Sequence, residues 1–405
     1  YKISYSTVKR IARKLEEVHK EAFIKQDYNP GDQTEFDWGE VKLNIGGTGY
    51  KKYQMAVFTS AYGNHRYAKL YRVQDTAAFQ DSHADYFAFC KGVYHTVVYD
   101  NMRVAVKKFV GPTEKEPTEA LLQLSAYYGF SFRFCNVRSG NEKGHVERSV
   151  DVVRRFAFSR PGEDCFESLE EANNHLLGKC MKKNSEELSD GRIADRCFEE
   201  EKPHLMRCMA KMPCYAKKTD LIVDKYSTVT INRIHYSVPD TNVGKRLTAR
   251  VYTDKVEIYS GSDKIATHER HYTNGEYVLD IFHYLRTLKR KPGALPQSSA
   301  LMQSDAQIKK IYEDYYSKDS KEFLHVLELI EEIGVDSVVM AINELKRKSP
   351  NDLCAAKLRM IYDHLCESNQ GAEEGIYGED KLSRKSKASL SQYNDLMALQ
   401  RRRAS

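Results

Sequence analysis

Several things are scarce in this chain of 405 residues. It has one tryptophan and ten prolines, and no apolar run approaches the length of a membrane span. No secretory signal opens it, so no membrane partner is indicated. Its nine cysteines are scattered and never form C-x-x-C. His204, Cys208 and Cys214 come nearest to a metal cluster, but their spacing fits no zinc pattern. Scattered thiols suit a reducing cytoplasm, and a cytoplasmic location is expected. Charge of one sign is not abundant either. There are 63 basic and 57 acidic residues, a net +6, which argues only weakly for nucleic acid.

What is present is a folded chain of several domains. The hydrophobic fraction of 41% excludes general disorder. The length exceeds one ordinary core, so about two to four domains are expected. The first residues after Tyr1 already read as the inside of a helical motif, so a preceding portion is expected. Residues 1–20 read as a helix-turn-helix remnant. Ser6 is its N-cap, and Val8, Ile11, Ala12 and Leu15 form an apolar stripe at helical spacing. Lys9, Arg10, Arg13 and Lys14 lie off that stripe, toward DNA. An ordinary amphipathic helix with a solvated basic face fits the same residues. Residues 21–32 read as a linker ending in Asn29-Pro30-Gly31-Asp32.

Residues 33–160 carry the richest pattern. Strands at 33–45, 53–60 and 66–73 are separated by hairpin signals at Gly46-Gly47 and Tyr62-Gly63-Asn64. A helix over 75–91, a strand Thr96–Tyr99, a helix Thr118–Tyr128, a strand Phe130–Val137 and a helix over roughly 141–157 follow. The order β-β-β-α-β-α-β-α predicts a mixed sheet covered by helices. Its later strands are parallel, joined by right-handed crossovers. This is the element order of the ribonuclease H-like fold, here in an α/β multidomain chain. Residues 161–222 read as a helical connecting region. Alternation at period two over 223–285 predicts a small β-barrel, with Lys245, Arg246 and Arg250 as basic candidates. Residues 286–405 read as helical, and 367–388, rich in Gly, Glu, Ser and Lys, as flexible.

Three acids stand out within that richest region. Asp37 lies inside the first strand, in Gln33-Thr34-Glu35-Phe36-Asp37-Trp38-Gly39-Glu40-Val41. Asp100 ends the apolar run Val97-Val98-Tyr99. Glu147 lies in the helical stretch Gly144-His145-Val146-Glu147-Arg148. Strands one and four are expected to be neighbours, so their acids face each other, and a helix crossing the sheet supplies the third. Val146, Val150 and Val153 form the buried stripe of that helix, and Glu147 lies about 100° from Val146, at its edge. Converging carboxylates suit divalent metal, because Mg²⁺ takes oxygen ligands in near-octahedral geometry. Two such ions about 4 Å apart clamp an in-line phosphoryl displacement. Lys143, Arg148, Arg154 and Arg155 place cations around Glu147, where a phosphate backbone is held. Each acid has a plainer reading: a strand-edge acid for Asp37, a turn or cap for Asp100, a solvated acid paired with Lys143 for Glu147. Glu35, Glu40, Asp32, Glu142 and Asp151 are nearby rivals.

The blocks Asp37-Trp38-Gly39-Glu40, Tyr99-Asp100-Asn101-Met102 and Gly144-His145-Val146-Glu147-Arg148 resemble the three blocks of the D-D-E transposase and integrase core. The chain is most similar to the IstA-type transposases of the insertion-sequence group numbered twenty-one. Ile234-His235-Tyr236-Ser237-Val238-Pro239 and Arg290-Lys291-Pro292-Gly293-Ala294-Leu295 also look like that group. The resemblance implies DNA cleavage and strand transfer with two Mg²⁺ ions, for which Mn²⁺ substitutes, bound by Asp37, Asp100 and Glu147. It implies a dimer or tetramer on paired transposon ends, target DNA, the AAA+ helper ATPase IstB, and a bacterial, nucleoid-associated setting. A ribonuclease H-like nuclease without joining activity, or an inactive DNA-binding regulator, are the alternatives.

Overall fold

The computed structural model describes residues 4–15, 27–100, 102, 104–109, 115–135, 146–160, 162–348 and 353–376. Half of the expected linker, residues 21–26, and all of 136–145, with Glu142 and Lys143, lie outside them. Chain contacts divide the protein into two units, residues 1–218 with 249–257, and residues 219–248 with 258–405.

The first helix, α1 (Tyr5–Leu15), is capped two residues earlier than the sequence suggests. Ser4 Oγ accepts from the Thr7 N–H at 3.3 Å, the bond an N-cap makes to the third helical residue. Ser6 is already inside the helix. Val8 and Ile11, two of the four residues of the expected apolar stripe, are 51% and 45% exposed.

The central sheet is mixed. β1 (Gln33–Ile45) pairs antiparallel with β2 (Tyr50–Ser60), and β2 with β3 (Arg66–Tyr71). Helix α2 (Thr76–Cys90) then carries the chain across to β4 (Thr96–Tyr99), which lies parallel to β1 on its other side. Helix α3 (Glu119–Tyr128) leads to β5 (Ser131–Phe134), parallel beyond β4. The strand order β3-β2-β1-β4-β5 makes strands one and four neighbours, as expected. Parallel neighbours need such crossovers. A short hairpin, Val106–Phe109 with Lys115–Pro117, is inserted between β4 and α3. Caps fix the helix starts: Asp75 Oδ1 accepts from Ala78 N–H at 3.0 Å, and Thr118 Oγ1 from Leu121 N–H at 3.3 Å.

Alternation along the strands gives the sheet two cores. On one face Phe36, Ala56, Phe58 and Tyr99 pack with Phe79 and Phe87 of α2 and Leu121 and Leu124 of α3. On the other, Val41, Leu43, Met55 and Val57 pack with α4 (Val146–Phe158), through Val150, Val153 and Ala157, and with α5 (Leu169–Asn184), through Leu176.

Where a small barrel is expected, the hydrogen-bonded strands form two sheets in linear order. One runs through Ala216–Ile222, Arg246–Val251, Lys255–Ser260 and Asp263–Glu269, the other through Thr228–Ile231, Ile234–Ser237 and Tyr277–Val278. Helices Ser320–Ile333, Val335–Lys348 and Ala355–Ile376 follow, around Phe323, Leu327, Val338 and Leu358. The last helix runs on through residues 367–376, which composition marks as flexible. Glutamate and alanine at 372–374 are good helix formers, and this stretch holds no proline. Among the described residues no helix is long and apolar enough to cross a membrane.

Candidate active site

Strand register sets the residues that precede the first two acids opposite each other. β1 and β4 run parallel, and their last paired residues are Phe36 and Tyr99. Asp37 comes next within β1, and Asp100 directly follows the end of β4. Neighbouring strands lie about 4.8 Å apart, and residues in register share a face. Phe36 and Tyr99 point toward α2, where their rings lie 4.6 Å and 5.6 Å from that of His83. Alternation therefore turns Asp37 to the opposite face. That is the face of Val57, its partner on β2, and of α4. Both acids are half-buried. Asp37 Oδ1 accepts from the Trp38 N–H at 2.8 Å. The turn after β4 is closed by the Asp100 carbonyl, which accepts from Met102 N–H at 2.8 Å.

Glu147 lies in the first turn of α4. What brings this helix to the strand is Gly39. A Cβ there would stand 2.6 Å from Val150 Cγ1, so α4 lies closer than any side chain at 39 permits. Four residues on, Arg154 donates to the Glu40 carbonyl at 3.4 Å. Past the helix, Cys165 pairs with Asn44. The helix thus runs along β1 from Gly39 toward Ile45, and its first turn lies toward Asp37. The Glu147 side chain is outside the described residues. Among the described residues, no three His, Cys, Asp or Glu side chains form a metal-holding group.

Of the expected DNA-binding cations, Lys9, Arg154 and Arg155 have described side chains. Arg154 and Arg155 are exposed on α4. Arg154 pairs with Asp151, and Arg155 Nε donates to the Asp151 carbonyl at 3.3 Å. Lys9 is exposed on α1. The side chains of Arg10, Arg13 and Arg148 lie outside the described residues, as does Lys143 altogether. Among the rival acids, Asp32 is exposed and accepts from Asn29, and Glu40 pairs with Lys52 at 2.8 Å.

Glu35 is different. It is 4% exposed and shares a face with Asp37, two residues along β1. Its Oε2 has no hydrogen-bond partner. Burial raises its carboxyl to about 7, against the pull of the Arg133 charge. Arg133 pairs with Val98, which pairs with Glu35, so the three stand in a row across the sheet. Neither Arg133 nor the glycine at 39 stands out by residue type as functional in the sequence. A glycine inside a strand is itself a signal of close backbone approach.

Comparison with known proteins bears on this arrangement. A family model described as Mu transposase, C-terminal domain, matches residues 210–280. A transposase of Aminobacter aminovorans is 27% identical over 361 residues, 85% of this chain and 70% of that protein. The transposase for insertion sequences IS1326/IS1353 of Pseudomonas aeruginosa is 28% identical over 303 residues, 72% of this chain and 58% of its own length. The transposase for insertion sequence element IS21, also of Pseudomonas aeruginosa, is 26% identical over 253 residues, 60% of this chain and 63% of that one. The chain therefore spans less than two thirds of these last two relatives. Among solved structures, the HTLV-2 integrase catalytic core domain in complex with magnesium aligns with a TM-score of 0.32 and 12% identity, over 43% of this chain and 99% of that one. The chain is a homologue of the insertion-sequence transposases, of the kind carried by IS21 and IS1326/IS1353.

Proposed function

We propose that this protein is a DNA transposase that cuts and joins DNA at transposon ends by metal-dependent phosphoryl transfer, with Asp37, Asp100 and Glu147 as its D-D-E acids. The observation that supports this reading is the register of β1 and β4, whose last facing pair, Phe36 and Tyr99, is followed at once by the half-buried Asp37 and Asp100. The donors are oxygens, which suits Mg²⁺ or Mn²⁺. Carboxylates gathered at one point repel one another, and a divalent cation offsets that repulsion. When bound, two such ions supply Lewis acidity at the phosphodiester oxygens.

The residues of the chain do the rest by binding and orienting. Asp37 and Asp100 come from a rigid sheet and Glu147 from a helix packed on it. Lys143, Arg148, Arg154 and Arg155 hold the phosphate backbone over the acids, and Lys9, Arg10 and Arg13 engage the transposon end. Water attacks a phosphodiester at that end, and the freed 3′-hydroxyl then attacks target DNA. In both steps alignment and charge neutralisation carry most of the rate. Partners follow from the same reading: a second copy on the paired end, and the helper ATPase IstB to deliver target DNA.

Asp100→Asn tests the assignment. Strand transfer from pre-cleaved ends should fall by roughly three orders of magnitude, with end binding in gel shifts unchanged. Wild-type rates in that variant would remove Asp100 from the chemistry. Cleavage without joining by the unmodified protein would identify a nuclease, and binding indifferent to metal an inactive regulator.

A further inference from the structure

Each of the two adjacent acids is preceded by an aromatic residue that turns the other way, into the core beneath α2. The Phe79 ring lies 5.7 Å from Phe36 and 5.9 Å from Tyr99, and a polar side chain of the same helix meets both aromatics too. His83, on the second turn of α2, is fully buried. Its ring lies 4.6 Å from that of Phe36 and 5.6 Å from that of Tyr99. Its Nδ1 stands 2.7 Å from the Phe79 carbonyl oxygen. A carbonyl only accepts, so Nδ1 carries the proton. Nε2 is then a bare acceptor, and the Tyr99 hydroxyl, 2.8 Å away, donates to it. Burial keeps the imidazole neutral, drawing its pKa down to about 3. The tautomer, the charge and both hydrogen bonds are thereby fixed.

Packing alone does not call for histidine here. Phe58, Phe79 and Phe87 surround the ring at 4.9, 4.5 and 6.2 Å, and leucine or phenylalanine would fill such a site without desolvating two nitrogens. What histidine adds is a directional tether from the α2 backbone, through its own ring, to Tyr99. The peptide after Tyr99 carries Asp100, and the peptide after Phe36, held against the same ring, carries Asp37.

We infer that His83 is a positioning residue for the acid pair: from the far side of the sheet it fixes Phe36 and Tyr99 relative to each other and so sets the separation of the Asp37 and Asp100 carboxylates. This rests on the proposed reading of those two acids as metal ligands. The general precedent is that partners behind the ligands are worth about 10–100-fold in metal affinity.

The test is Mn²⁺ binding to the full chain without DNA, read by quenching of Trp38, the single tryptophan, and by the electron paramagnetic resonance signal of free Mn²⁺. Tyr99→Phe deletes one hydroxyl and should weaken Mn²⁺ binding about 10-fold, and His83→Leu at least as much. His83→Gln retains a donor for the Phe79 carbonyl and an acceptor for Tyr99, and should recover most of the loss. In strand transfer the same variants should lower kcat while the Kd for end DNA stays put. Circular dichroism confirms that each variant is folded. Unchanged Mn²⁺ affinity in folded Tyr99→Phe and His83→Leu would reduce His83 to core packing and overturn the inference. Mn²⁺ binding that survives Asp100→Asn and Asp37→Asn would overturn the metal-ligand reading beneath it.

Discussion

At the scale of single residues, Gly39 bears most directly on the acids without being one of them. Its missing Cβ leaves room for Val150 Cγ1, 2.6 Å from where that atom would be, and for Met55 Cε at 3.1 Å. Real Cβ atoms do not approach this closely, so a side chain at 39 pushes α4 off the strand. Gly39→Ala should therefore destabilise the protein by about 1–3 kcal/mol, the usual effect of overpacking. It should also lower strand transfer, because the first turn of α4 carries Glu147. Thermal unfolding measures the first effect and a joining assay the second. Val150→Ala removes the opposing methyl groups, so the double variant should lose less than the two single losses combined. A Gly39→Ala protein as stable as the parent would show that the close approach is not tight.

At the scale of elements, α4 has two faces with different work. Val150, Val153 and Ala157 are 8%, 0% and 0% exposed against β1 and β2, while Arg155 is on the open side. Val153→Ala should cost about 2 kcal/mol in denaturant unfolding. Arg155→Ala should leave stability within about 0.5 kcal/mol and lower the salt slope of DNA binding by about one. The reverse pattern would mean the helix is turned the other way. This two-faced character is legible in the sequence, because valines at spacings of three and four need only a helix to align them. The strand order is legible for a similar reason: hairpin signals at Gly46-Gly47 force antiparallel pairing, and helix-length insertions force parallel pairing. Expecting the strands that carry Asp37 and lead to Asp100 to be neighbours needed only those two facts, and they are. Other features need the folded chain. Ser4 and Ser6 are equally good caps by type, and only the helix start separates them. The hairpin at 106–117 carries Lys107 and Lys108 side by side, which breaks the alternation that marks a strand. His83 reads as one polar residue in an aromatic helix, and its link to Tyr99 exists only across the sheet.

At the scale of the whole molecule, buried ionisable groups give the two units different responses to acid. In the first unit burial raises Glu35 and Glu201 to about 7 and lowers His65 to about 4 and His83 to about 3. In the second, burial lowers His283 to about 4 and also depresses His268. Stability rises with pH wherever the unfolded chain binds more protons than the folded one. Between about pH 4.5 and 6.5, the ordinary values for glutamate and histidine, an unfolded histidine binds a proton that the folded one refuses. Over the same interval a folded Glu35 or Glu201 keeps a proton that the unfolded one has lost. In the first unit two histidines oppose two glutamates, and the slopes cancel. In the second, His268 and His283 have no buried glutamate of this kind against them among the described residues, so stability falls as pH drops below 6.5. Each shifted group contributes about 1.4 kcal/mol per pH unit while it titrates in only one state. Trp38 is the single tryptophan and lies in the first unit, so its fluorescence follows that unit alone, while circular dichroism also follows the helices of the second. The midpoint from Trp38 should stay level from pH 6.5 to 4.5. It should drop above 6.5 as the glutamate contribution is lost, and below 4.5 as the histidine contribution goes. A transition seen by circular dichroism and silent to Trp38 should move down in temperature throughout the interval from 6.5 to 4.5. Midpoints that shift together across that interval would show that the buried histidines and glutamates do not govern the two units separately.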